Sequence, residues 1–283
     1  MQAKRSSNLG YWFGEKVVPH LVLFTYMLIA LFPIVLILIN SFKERKAIFR
    51  TPLALPTPET FSLEGYQTLL ERSNFPLYFM NSLVVTVVSI FLILFTGAMA
   101  AYALSEYKFR GNALMGIYLA LGIMIPIRLG TVGILRLMAA MGLVNTLYSL
   151  ILVYTAMGLP LAIFVLTQFM SQVPRELKDA ARVDGASEYR IFWLILPMVR
   201  PAVATVAVFI MIPIWNDLWF PLILANGERT KTVTLGAQQF LGQFISDWNA
   251  VLSSLTLAMI PVLILYLIFS RQLIRGLTAG AVK

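Results

Sequence analysis

The sequence predicts an all-α integral membrane protein with six transmembrane helices, and three observations predict it. Of the 283 residues, 59% are hydrophobic and only 12% charged, with a mean hydropathy of +0.81; soluble domains carry about 25% charged residues. Apolar runs near the roughly 20 residues that cross a bilayer as helix occur six times. None of them alternates as the strands of a membrane barrel do, and helix satisfies every backbone group within its own segment, as lipid requires.

In order, the runs cover about residues 17–40, 77–104, 113–135, 146–170, 201–224 and 250–270, giving one transmembrane domain over 1–283. The first follows a basic stretch, MQAKRSSNLGYWFGEK, and is too long for a signal-peptide core, with no small-residue cleavage site behind it; it reads as a retained span. Between the first two runs, Ser41–Pro76 holds a proline-rich stretch, TPLALPTPET, then FSLEGYQTLLERSNF, which has the spacing of a short amphipathic helix on the membrane or a partner. Residues 171–200 form the one strongly charged loop. No loop is long enough for an independent catalytic domain, and no fixed-period repeat occurs.

Lysine and arginine counts orient the chain. With the N-terminus inside, 13 of the 22 fall in inside segments and 8 in outside segments, with Arg128 within a span. The excess favours both termini in the cytoplasm. The net charge of +9 then belongs to loops near lipid headgroups, not to a nucleic-acid interface. The chain has no cysteine, which excludes disulfides, thiolate metal sites and cysteine nucleophiles. His20 is the single histidine, and without companions it forms no metal cluster.

Several residues are out of place in apolar spans. Pro33, Pro126, Pro160, Pro213, Pro221 and Pro261 lie in or beside them; each removes a backbone donor and can kink a helix. Arg128, in MIPIRLG, either lines a solute pathway or snorkels to the headgroups. Asn216 and Asp217, in IWNDLWFPL, either meet a polar solute or bond a neighbouring helix. Trp215, Trp219 and Trp248 are expected in an interfacial belt.

The segment ELKDAARVDGAS, residues 176–187, differs from its surroundings. Pro174 suits a first helical turn. Arg175–Asp179 and Lys178–Arg182 are i,i+4 neighbours, one attractive and one repulsive, so pairing within the segment does not explain its charges. Ala180 and Ala181 offer a face for close approach, Gly185 can end the helix in a left-handed turn, and Ser187 can cap the next helix. Two short helices around a glycine turn, with charge beside a small-residue ridge, suit a solvated loop or a docking surface.

The same segment resembles the cytoplasmic "EAA" loop of ABC-importer permeases of the carbohydrate-uptake family, the maltose-type systems. The matching residues are Asp179-Ala180-Ala181, Asp184-Gly185-Ala186-Ser187, Phe192 and Leu196-Pro197, with support from NSLVV, GLVNTLYSLIL, WNDLWFPL and the tail RGLTAGAVK. Two departures stand out: Asp179 replaces the usual Glu, and the interval from Gly185 to Leu196-Pro197 is one residue shorter than the pattern. The resemblance is to the second permease subunit, a binding-protein-dependent inner-membrane component with the type I importer permease fold. It implies a bacterial inner-membrane location and a coupling helix over Glu176, Asp179, Ala180, Ala181, Asp184, Gly185, Ala186 and Ser187. It further implies a tail near the ATPase (Gly276, Thr278, Lys283), and partners: a second permease, two cytoplasmic ATPase subunits and an extracytoplasmic solute-binding protein. ATP and Mg would then sit on the ATPase subunits. This chain has no G-x-x-x-x-G-K-[ST] loop and no Gly-Lys dipeptide.

The expectation is therefore a non-catalytic permease subunit of an ATP-driven importer for a sugar, oligosaccharide or sugar derivative. An ion-coupled secondary transporter is the alternative; it would need midplane carboxylates, and Asp217 is the single intramembrane acid. An intramembrane enzyme is the third reading, but no span carries a lysine or a second histidine as base.

Overall fold

Every apolar run is helical in the structure, a computed structural model that describes residues 17–242 and 246–281, with side chains for all of these except 113 and 269–281. Among the described residues four helices are long and apolar enough to cross a membrane, or up to six if each of two bent helix pairs counts as one span. Among the described residues the only strand-like pairing is an isolated bridge, Lys43 with Phe61. The chain divides into two compact units: residues up to Glu71 with Phe240–Leu257, and Arg72–Gln239 with the chain from Ala258 onward.

The first unit opens with α1 (Val18–Asn40), whose side chains are almost all exposed, as suits contact with lipid. It ends at the buried Asn40, where the chain turns into α2 (Arg45–Arg50), with Ala47 and Ile48 buried. The expected amphipathic helix is α3 (Glu64–Arg72), with Gly65, Thr68 and Leu69 buried. The carbonyl of Asn249 lies so close to Gly65 that a Cβ there would collide with it. Asn249 also donates to the Lys43 carbonyl (2.7 Å), tying the start of α13 (Trp248–Ala281) to the turn after α1.

The second unit is built on α4 (Phe75–Glu106) and α7 (Leu147–Ser171), packed along their length. Small residues let them approach: Ala98, Ala101 and Ala162 are buried, and Gly158 lies against Ile93, where a Cβ would stand 2.5 Å from the isoleucine Cδ1. In lipid there is no hydrophobic drive between helices, so such close packing supplies the association energy. Both α5 (Asn112–Met124), against α7, and α10 (Arg200–Trp215), against α4 and α7, complete the core.

Two expected spans are not single helices. The run 113–135 breaks after Met124: Pro126 precedes a 3-10 turn, Ile127–Gly130, which leads into α6 (Thr131–Ala140), 83° away in direction. The residue before a proline avoids helical backbone, and Ile125 is extended. The run 201–224 is interrupted at Asn216–Leu218 and resumes as α11 (Trp219–Leu224). Pro33, Pro160, Pro213 and Pro261, by contrast, lie inside continuous helices. Trp215 does not join an interfacial belt: it is 2% exposed and donates its indole N–H to the Ala258 carbonyl at 2.9 Å.

Candidate coupling loop and intramembrane polar cluster

The charged loop leaves α7 through the buried Val173 and forms α8 (Arg175–Val183), then α9 (Glu188–Ile195). Pro174 stands at the N-cap position, one residue before the expected first turn. Gly185 has φ +76°. The Ala186 N–H donates to the Ala181 carbonyl and the Gly185 N–H to that of Arg182, which is the paired closure of a Schellman motif. Nothing lies within 4 Å of a Cβ built on Gly185, so the glycine serves the backbone conformation and not a close approach. Ser187 occupies the next N-cap position with extended backbone, but its side chain makes no capping bond, contrary to expectation.

The charges of residues 176–187 are resolved by residues outside that segment. Glu106, the last residue of α4, accepts from Lys178 Nζ at 2.8 Å and Arg182 Nη2 at 2.6 Å. Arg182 also binds Asp179 (2.9 Å) and Glu188 (2.9 Å), and Tyr102 donates to Glu188 at 2.6 Å. The like-charged Lys178 and Arg182 thus share one carboxylate, with Lys178 only 4% exposed in its side chain. Asp179 pairs with Arg182, three residues on, and not with Arg175. Hydrogen bonds to Glu188 and Glu106 raise the Arg182 pKa above its ordinary value. The two alanines expected on one face separate: Ala180 is exposed, while Ala181 and Ala186 pack against the core. The outward face of the loop comprises Glu176, Leu177, Asp179, Ala180, Val183, Asp184, Gly185 and Ser187. Beneath it, Ile191, Phe192 and Ile195 enter the same core as α4 and α7.

The second constellation gathers at the two helix breaks. Asp217, its side chain 9% exposed, accepts from the Tyr154 hydroxyl (2.9 Å) and from the backbone N–H groups of Trp219 (3.2 Å) and Phe220 (3.1 Å). It therefore caps α11 while reaching across to α7. The Arg128 guanidinium stands 3.7 Å from the same carboxylate and 5.8 Å from the Trp219 ring centroid, two-thirds exposed. Trp219 donates its indole N–H to Thr131 at 3.0 Å, and Thr234 donates to the Asp217 carbonyl at 2.7 Å. Asn216 is not part of this set; its amide turns back to the Ile212 carbonyl of its own helix. Beside the break, a largely apolar recess of about 700 Å³ is bordered by Tyr118, Ile127, Met157, Pro160 and Pro213.

The family described as "Binding-protein-dependent transport system inner membrane component" matches residues 9–279. The chain belongs to that family. This inner membrane component is 35% identical over 91% of its length to a putative ABC transporter permease protein of Caldicellulosiruptor sp., covering 94% of that protein. It is 32% identical to the trehalose/maltose transport system permease protein MalG of Thermococcus litoralis, over 90% of this chain and 92% of that one. Its fold matches a chain in the crystal structure of a bacterial ABC transporter involved in the import of the acidic polysaccharide alginate, with TM-score 0.78, 23% identity and coverage of 94% and 98%.

In this inner membrane component Arg128 and Asp217, which the fold brings together, and the helix–glycine turn–helix are visible in the sequence. Glu106, Glu188 and Tyr102, which hold the loop, and Tyr154, Thr131 and Thr234, which hold Asp217 and Trp219, are not singled out by it. A signal for Glu106 exists: it is the acid that closes a 32-residue apolar helix. Gly276 and Thr278 fall in the last turns of α13, and Lys283 lies outside the described residues.

Proposed function

We propose that the chain is one permease subunit of an ATP-driven importer of a sugar, oligosaccharide or sugar derivative, and that its 171–200 loop receives the stroke of a cytoplasmic ATPase. Family membership and the relatives' sugar-transport names support this reading and leave the ion-coupled alternative without support. The observation that carries it is the anchoring of α8. Its outward face is open for docking, while Lys178 and Arg182 on its inward face grip Glu106 at the end of α4. A displacement imposed on α8 passes to a core helix through two charge-assisted bonds, and to α7 and α10 through α9. A solvated loop needs no such tether.

The partners on this reading are a second permease, two ATPase subunits carrying ATP and Mg, and an extracytoplasmic solute-binding protein. Both termini then face the cytoplasm, and the tail with Gly276, Thr278 and Lys283 approaches the ATPase. ATP binding draws the loops of the two permeases together and opens the spans outward; hydrolysis resets them. The Arg128–Asp217–Trp219 cluster borders the pathway, where a guanidinium donates to sugar hydroxyls and an indole face receives the apolar face of a sugar ring. The chain itself performs no chemistry. Reconstituting the subunits in proteoliposomes tests this: uptake should require internal ATP and continue after ion gradients are collapsed. Uptake driven by an ion gradient without ATP would overturn it.

A further inference from the structure

The first unit carries a feature outside the charged loop and the Asp217 cluster. Lys43 is 1% exposed, and its ammonium donates to the Asn40 side chain (3.1 Å) and to the carbonyls of Thr51 (2.9 Å) and Pro52 (3.3 Å). No carboxylate pairs with it among the described residues. Two of its partners, Asn40 and Pro52, also wall a narrow apolar groove of about 210 Å³ with Leu36, Ile48, Phe49 and Trp248. The groove thus has an uncompensated buried cation directly behind its wall. Beside the groove, α2, which lines it with Ile48 and Phe49, presents Lys46, Phe49 and Arg50 on one exposed face, three and four residues apart, with Arg45 also exposed in its first turn. Phe49 meets Trp248 edge to face at 6.3 Å. The nearby acids are Glu44, exposed before α2, and Asp247, which caps the start of α13 through the Ala250 N–H.

We infer that this groove is a binding site for one anionic phospholipid, with an acyl chain between α1 and Trp248 and the headgroup phosphate on Lys46 and Arg50. The occupant follows from the chemistry. The groove starts at Leu36 on the lipid-exposed α1 and is apolar, so it suits a hydrocarbon tail. Cations stand behind Asn40 and Pro52 and along the adjoining exposed face of α2, so the groove suits an anion at headgroup level. A zwitterionic lipid would bring a second cation to a place already rich in them.

Brominated acyl chains quench nearby tryptophan, and subtracting the emission of Trp248→Phe isolates Trp248 from the other four tryptophans. The full chain in nanodiscs of phosphatidylcholine should show stronger Trp248 quenching by brominated phosphatidylglycerol than by brominated phosphatidylcholine. The double variant Lys46→Gln/Arg50→Gln changes exposed residues only, and unchanged helicity by circular dichroism will verify its fold. It should weaken the phosphatidylglycerol preference by about 25-fold, from roughly fivefold per cation at an anionic surface. Equal quenching by the two lipids would overturn the assignment, as would a preference untouched by the double variant. Binding of inorganic phosphate with no quenching of Trp248 by either brominated lipid would also overturn it, because the site would then hold a free anion and no acyl chain.

Discussion

A carboxylate at the end of a membrane helix is usually free to meet water, but Glu106 instead holds two cations, and one of them, Lys178, has almost no solvent contact of its own. Removing the charge from Glu106 leaves Lys178 desolvated and unpaired, a loss of about 3 kcal/mol for a buried pair. Glu106→Gln should therefore lower the thermal midpoint of the purified chain and impair uptake. Adding Lys178→Met should restore part of the stability, since the orphaned cation is gone. Purely additive losses would show that the pair does not interact. Gly185 makes a different demand, backbone conformation alone. Asparagine tolerates left-handed backbone far better than valine does. Gly185→Asn should keep most uptake and Gly185→Val should lose it while ATP hydrolysis continues; equal uptake by both variants would sink the coupling role. The glycine was legible because a left-handed turn leaves a mark in a single residue. Glu106 shows in the sequence only as an acid that closes an apolar helix; its role was not legible, because its partners lie more than 70 positions downstream and only hydrogen bonds made in the fold join them.

At the scale of elements, hydropathy locates helices well and their breaks badly. The residues around Met124–Ile127 are as apolar as those of an unbroken helix, so composition gives no hint of the 83° turn; Pro126 is the local cause, yet Pro160 and Pro213 sit in helices that continue. The difference lies in what surrounds them. After Trp215 the chain stops because Asp217 supplies its carboxylate to the Trp219 and Phe220 N–H groups, starting a new helix. Arg128 and Asp217 were each visible as polar intruders, but their meeting depends on both breaks. Packing of α4 on α7 is equally hidden, since glycines recur throughout the spans and only some face a neighbour. Gly158→Leu drives a side chain into Ile93 and should cost about 1–3 kcal/mol as overpacking. Gly116→Leu, at a position open for 4 Å around, should change little. Resistance to detergent unfolding measures both, and equal losses would show that the α4–α7 approach is not what Gly158 serves.

For the molecule as a whole, the lysine and arginine bias that orients the chain is modest, 13 against 8, and half of the minority sits in one short stretch, Lys43, Arg45, Lys46 and Arg50. If Lys43 serves a buried tether and Lys46 and Arg50 a lipid headgroup, those three are not topogenic competitors but functional charge, and the remaining bias of 13 against 5 is steep enough to set one orientation. The absence of cysteine makes a direct measurement possible, because any introduced thiol is the only one in the chain. Val183, 87% exposed on the outward face of the charged loop, and Glu59, exposed in the segment between α1 and α3, should then lie on opposite sides of the membrane. In intact cells stripped of their outer barrier, a membrane-impermeant maleimide should label Glu59→Cys at once and Val183→Cys only after the inner membrane is opened. Adding the purified ATPase to opened membranes should then protect Val183→Cys and leave Glu59→Cys reactive. Labelling of Val183→Cys in sealed cells would reverse the orientation and remove the loop from any cytoplasmic ATPase.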